Sequence, residues 1–147
     1  MVWQPYPIDD CARQVVEHAI QRDSSRKSLN QVFKMRFTCA YGLERFWGEY
    51  LRLKSGSAVD QNKAEIILDT WRFLQADILR GTGIELPLDD ALNVNDASAV
   101  NESLSSIWQL RTAHPRQAQV VLAVLTNFCE AIIWWKNRLA PGSIQED

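Results

Sequence analysis

The side chains best suited to acid–base chemistry are two histidines that fall near arginines, giving the pairs Arg13 with His18 and Arg111 with His114. A histidine titrates near neutral pH, and an adjacent guanidinium can stabilise charge building on a phosphoryl group, so such a pair could cleave a phosphodiester. On a straight helix Arg13 and His18 would point about 140° apart. The simpler partner for Arg13 is Glu17, one turn on. In the segment Leu-Arg-Thr-Ala-His-Pro only two residues separate Arg111 from His114, and a cation at His114 suits the C-terminal end of a helix.

The spacing of Arg13 and His18 is similar to that of the HEPN class of helical ribonucleases, whose Arg and His stand four to six residues apart, but it falls in the first helix, not a late one. Arg111 and His114 have the late position and the Ala-His-Pro flavour without the spacing. Neither pair carries both features. A HEPN-like ribonuclease therefore stands as a third functional alternative, with no catalytic residue assigned. Other chemistry is sparser still. Cys11, Cys39 and Cys129 are far apart and form no CxxC pair, and Asp89, Asp90 and Asp96 lack the oxygen-ligand spacing and glycine turn of a calcium loop. Gly81-Thr82-Gly83 follows a helical pattern instead of a strand, so it reads as a helix stop and not a phosphate loop. No cofactor and no metal are expected.

The residues most able to meet a partner lie in 22–54, where eight Lys/Arg face three acids, a local charge of +5 against −7 for the rest. Read as one helix, this segment places Lys27, Lys34, Arg45 and Arg52 within about 20° of one line, with Tyr41 beside them. A line of cations can meet an anionic surface. Gly42 and Gly48 lie within about 60° of it, and a glycine inside a helix costs roughly 1 kcal/mol relative to alanine, so something is expected to approach the backbone there. Arg36 sits opposite, on the apolar arc, and calls for a carboxylate such as Asp69 or Asp77. Trp134 and Trp135 are neighbours that point about 100° apart, which puts one of them at the surface as an interface marker.

These residues must be positioned by helices. The chain has 147 residues, 46% of them hydrophobic and 23% charged, with a net charge of −2 and six tryptophans, which suits one globular domain. A first helix is expected over 10–22, with Ser24, Ser25 and Ser28 offering caps for the long second helix, which stops at Gly56. A third runs from about 60 to 80 and carries Trp71, and a fourth runs over 97–113 with Asp96 as cap. Pro115 opens a hydrophobic last helix reaching Leu139. Trp47, Trp71 and Trp108 are expected in the core. Val121, Leu125, Phe128 and Ile132 of the last helix are expected to pack on Phe46, Trp71 and Leu74.

The fold expected is all-α, a single-domain bundle of about five helices over 1–147. Residues 1–8 form an extension, 81–96 an acidic linker and 141–147 a tail. The apolar tract 120–135 falls short of the ~20 residues that span a bilayer, and the N-terminal segment lacks the pattern of a signal peptide. Three unpaired cysteines fit a reducing cytoplasm. The leading functional expectation is a non-enzymatic subunit or adaptor that binds a protein partner and no membrane, through Lys27, Lys34, Tyr41, Arg45, Arg52, Trp134 and Trp135. The alternative is a nucleic-acid phosphate-binding subunit of a ribonucleoprotein effector, whose affinity would fall steeply with salt.

Overall fold

A computed structural model describes residues 6–84, 86 and 95–142. Trp3, Asp89, Asp90 and the turn expected over 89–93 lie outside the described residues. Among these residues there are six α-helices and no strand: α1 Tyr6–Arg22, α2 Gln31–Thr38, α3 Leu43–Lys54, α4 Ala58–Phe73, α5 Ala97–Ala113 and α6 Pro115–Leu139. α1 starts earlier than expected, with Pro7 in its first turn, where the missing N–H is no loss. Its inner face is Cys11, Ala12, Val15, Val16 and Ala19, all buried.

After α1 the chain turns on a carboxylate. Asp23 accepts hydrogen bonds from the Ser25 N–H at 3.1 Å, the Ser25 hydroxyl at 2.6 Å and the Ser28 N–H at 3.0 Å. Ser25 and Ser28, two of the three serines expected as caps, are thus donors to this residue. Burial alone would raise the Asp23 pKa, but the hydrogen bonds from Ser25 and Ser28 outweigh it and hold the value at about 2. Arg26 closes the turn in the left-handed region at φ 63°, and a 3-10 turn over Lys27–Asn30 leads into α2.

The single long helix expected over 22–54 is therefore corrected to two helices and two 3-10 turns. α2 tightens into a 3-10 turn, Cys39–Tyr41, and breaks at Gly42, which adopts φ 99° and ψ 168°. That region is essentially reserved for glycine. The break explains an apolar arc too wide for one surface helix. Val32, Met35 and Cys39 are buried from one direction, while Leu43, Phe46, Trp47, Tyr50 and Leu53 of α3 are buried from another.

Ser57 and Asp60 begin α4 with reciprocal side-chain-to-backbone bonds, a capping box. α4 ends in a π turn over Leu74–Ile78, closed by the Leu79 N–H on the Leu74 carbonyl at 2.9 Å. Trp71, fully buried, stacks on Phe46 with centroids 6.1 Å apart and meets Trp47 at 5.2 Å. α6 packs most extensively against α1, then α2 and α5. Val121, Leu125, Phe128 and Ile132 belong to the same core as Phe46, Trp71 and Leu74, and the main neighbours of α6 are α1, α2, which is the first part of the expected second helix, and α5. α6 has 25 residues, and an 18-residue window within it has a mean hydropathy of 1.5, so by length and composition alone it could cross a membrane. One stripe of it nevertheless forms the centre of the bundle.

Two outcomes test these elements. Gly42→Ala should destabilise by about 1–3 kcal/mol, since its backbone conformation is strained for any side chain. Gly48→Ala should stabilise by about 0.5–1 kcal/mol, because a Cβ there meets nothing within 4 Å; equal effects in urea unfolding would disprove the break. For Asp23, the folded pKa of about 2 lies below the ordinary 3.8. Its stabilisation is complete above about pH 5 and is lost as pH falls through 4 toward 2, on the order of 2 kcal/mol in all. Stability–pH curves for the wild type and Asp23→Asn should converge over that window; parallel curves would exclude the assignment.

Candidate interaction surface

Phe33, Phe37 and Tyr41 occur at four-residue intervals, a spacing that lines residues up along one helical ridge. The ridge faces outward: Phe33 is 38% exposed, Phe37 68% and Tyr41 55%. The Phe37 and Tyr41 rings lie 6.1 Å apart. Cations flank both ends, with the Arg45 guanidinium 5.8 Å from the Tyr41 ring and the Lys136 ammonium 5.3 Å from the Phe33 ring. Lys136 is buried, and desolvation lowers its pKa. In sequence Phe33 and Phe37 fall among the apolar residues of the segment 22–54; their regular spacing with Tyr41 sets them apart as a ridge.

The charges of 22–54 divide into two sets. Arg22 bonds Asp69 at 2.7 Å, Arg36 bonds Glu130 at 2.9 Å, Arg52 bonds Glu49 at 2.9 and 3.1 Å, and Lys54 approaches Glu65 at 3.5 Å. Asp69 and Asp77, expected to neutralise Arg36, are replaced by Glu130, because α2 packs on α6. Arg26, Lys27, Lys34 and Arg45 are exposed and carry no ion pair among the described residues. The line expected through Lys27, Lys34, Arg45 and Arg52 is interrupted at Gly42. What remains is a set of exposed cations without ion pairs, of which Arg45 meets the aromatic ridge at Tyr41.

The last helix presents a second, smaller feature. Trp135 donates from Nε1 to Asp9 at 2.8 Å and so ties α6 to α1, while Trp134 stays 48% exposed with the Arg138 guanidinium 3.8 Å from its ring centroid. The two rings meet edge-on at 5.0 Å. Trp134 is the outward member of the pair and Trp135 is structural.

α3 and α5 enclose an open groove of about 520 Å³ lined by Glu44, Arg45, Gly48, Leu104 and Trp108 among others. Trp108, expected in the core, is 49% exposed. α5 buries only Ile107 completely, and Trp108 is the next residue, turned about 100° away. Arg111 bridges the groove to Glu44 at 2.9 Å and covers the Trp108 ring at 4.3 Å. Trp47 also fastens α5, donating to the Ser103 hydroxyl at 3.0 Å.

The two Arg–His pairs differ in their surroundings. Arg13 is held by Asp10 at 2.6 Å and Glu17 at 2.9 Å, while His18 faces Asp69 at 3.9 Å. Arg111 is committed to Glu44, and the exposed His114 ends α5 and begins α6. Asp96 caps α5 through the Ser98 and Ala99 N–H groups. Among the described residues no three His, Cys, Asp or Glu gather as metal ligands. No protein-family model, curated protein or solved structure matches the chain.

Proposed function

We propose that this chain is a non-enzymatic helical subunit or adaptor that binds an acidic segment of a protein partner over the Phe33–Phe37–Tyr41 ridge. The observation that carries the reading is Phe37, an exposed phenyl ring on a helix whose neighbouring cations, Lys34 and Arg45, have no carboxylate of their own. Burying a Phe side chain contributes roughly 1.5–3 kcal/mol, and aromatic anchors ringed by polar residues dominate many interfaces. Free cations beside them favour an acidic partner and speed its encounter. Trp134 extends the candidate surface on α6. The reading places the protein in the cytoplasm, on its three free thiols.

The alternative, a nucleic-acid backbone on the same cations, is supported by Tyr41 and Arg45, which could stack on a base. It is the weaker reading, since Glu44 and Glu49 stand beside Arg45 in α3. Phe37→Ser should abolish association with the native protein partner in affinity purification while shifting stability by no more than about 0.5 kcal/mol, and Lys34→Glu with Arg45→Glu should do the same. The complex should survive nuclease treatment. Retention of every partner by both variants would overturn the site. A nuclease-sensitive complex would favour the phosphate-binding alternative, and RNA cleavage abolished by His114→Ala would favour the ribonuclease.

A further inference from the structure

Cys39 and Cys129 are 90 residues apart in sequence, yet their Sγ atoms lie 3.8 Å apart in the core. Cys39 belongs to the 3-10 turn between α2 and Gly42, and Cys129 to the middle of α6. Both are reduced and buried. Cys39 also lies 3.3 Å from the Met35 carbonyl, to which its thiol donates. No other pair of sulfurs in the described residues is brought together in this way by two different elements, since Cys11 sits alone on α1.

We propose that Cys39 and Cys129 form an oxidisable dithiol site, which a peroxide converts into an intramolecular disulfide that staples the Cys39–Tyr41 turn to α6. The Cys39 thiolate attacks one peroxide oxygen and the O–O bond breaks, leaving a sulfenic acid at Cys39 and, for hydrogen peroxide, releasing water after protonation. The Cys129 sulfur then attacks the Cys39 sulfur. The S–O bond breaks, a second water leaves with the Cys129 proton, and the sum is two thiols and one hydrogen peroxide giving one disulfide and two waters.

The roles of the two sulfurs follow from their surroundings. A hydrogen bond from the Cys129 thiol stabilises a Cys39 thiolate, as do Thr126 and the nearby Arg36, and together these outweigh burial and lower the Cys39 pKa. Cys129 is pushed the other way by its hydrogen bond to Cys39 and by burial. Cys39 is therefore the attacking thiol and Cys129 the resolving one. Burial pushes Cys11 up to about 12, so it acts as an internal control. The sulfurs must close from 3.8 Å to the ~2.05 Å of a disulfide. The movement falls on the short 3-10 turn beside Gly42, because α6 is packed into the core along the stripe that includes Cys129.

The experiment uses the reduced full-length chain, hydrogen peroxide, alkylation of residual thiols and peptide mapping by mass spectrometry. The expected product is a Cys39–Cys129 disulfide in the monomer, with Cys11 still alkylated. It should raise the melting temperature by several degrees, since it closes a long loop, and dithiothreitol should reverse it. In Cys129→Ala, Cys39 should instead be trapped as sulfenic acid by dimedone. Mapping in the wild-type chain decides the matter even if that variant folds poorly. Both thiols remaining alkylatable after oxidation, or crosslinking through Cys11 or between molecules, would overturn the proposal.

Discussion

Gly42 is the constraint on which the arrangement depends. At φ 99° and ψ 168° it directs the chain out of the α2 axis and into α3, so that one amphipathic stretch becomes two helices serving different neighbours. α2 packs on α6, and α3 packs on α4 and α5. A continuous helix would have to bury its apolar residues over more than half its circumference, and would carry Phe33 and Phe37 toward the interior with Phe46 and Trp47. Once the chain breaks, Phe46 and Trp47 enter the aromatic core with Trp71, while Phe33 and Phe37 remain on the outside with Tyr41. Core and candidate surface come from the same segment because of one backbone conformation.

The charge pattern is simplified in a similar way. In sequence, 22–54 is a block of eight cations; in the fold, three of them dock one element to another and Arg52 pairs with Glu49 inside α3. Arg22 joins α1 to α4, Arg36 joins α2 to α6, and Lys54 joins α3 to α4. Such part-exposed pairs contribute at most about 1 kcal/mol each; their value lies in fixing orientation. The cations left over, Arg26, Lys27, Lys34 and Arg45, define a positive surface smaller than the sequence count implies. Of these, Arg45 reaches the aromatic ridge, its guanidinium 5.8 Å from the Tyr41 ring.

What was legible in the sequence was whatever local chemistry decides. The bounds of α5 and the end of α6 were readable from the Asp96 cap, from Pro115 and from Pro141-Gly142, since each signal acts within a turn or two of the boundary. The break at Gly42 was not readable, because the apolar periodicity continues across it and glycine is tolerated within helices. The partner of Arg36 and the exposure of Trp108 depended on which helix packs where, and periodicity carries no such information. Of the candidate binding residues, Lys34, Tyr41 and Arg45 lie at the ridge, Trp134 is exposed, Trp135 is used within the fold and Arg52 is paired. Phe33 and Phe37 were missed because a hydrophobic residue on an apolar arc is ordinarily core.

α6 supports the exposed aromatic ridge from below. Three residues of α2 and its 3-10 extension reach α6 in order: Phe33 meets Lys136, Arg36 meets Glu130, and Cys39 meets Cys129. Numbers rise along one element and fall along the other, so the two run antiparallel. Each contact is of a different kind, a cation beneath a ring, an ion pair and a pair of thiols, so a slip of one turn would mismatch all three at once. The register of α2 is thus fixed from below by α6. Phe33, Arg36 and Cys39 meet α6, while Phe37 and Tyr41 are 68% and 55% exposed. α6 belongs to the core through Val121, Leu125, Phe128 and Ile132, and through its contacts with α2 it also holds the surface that a partner would meet.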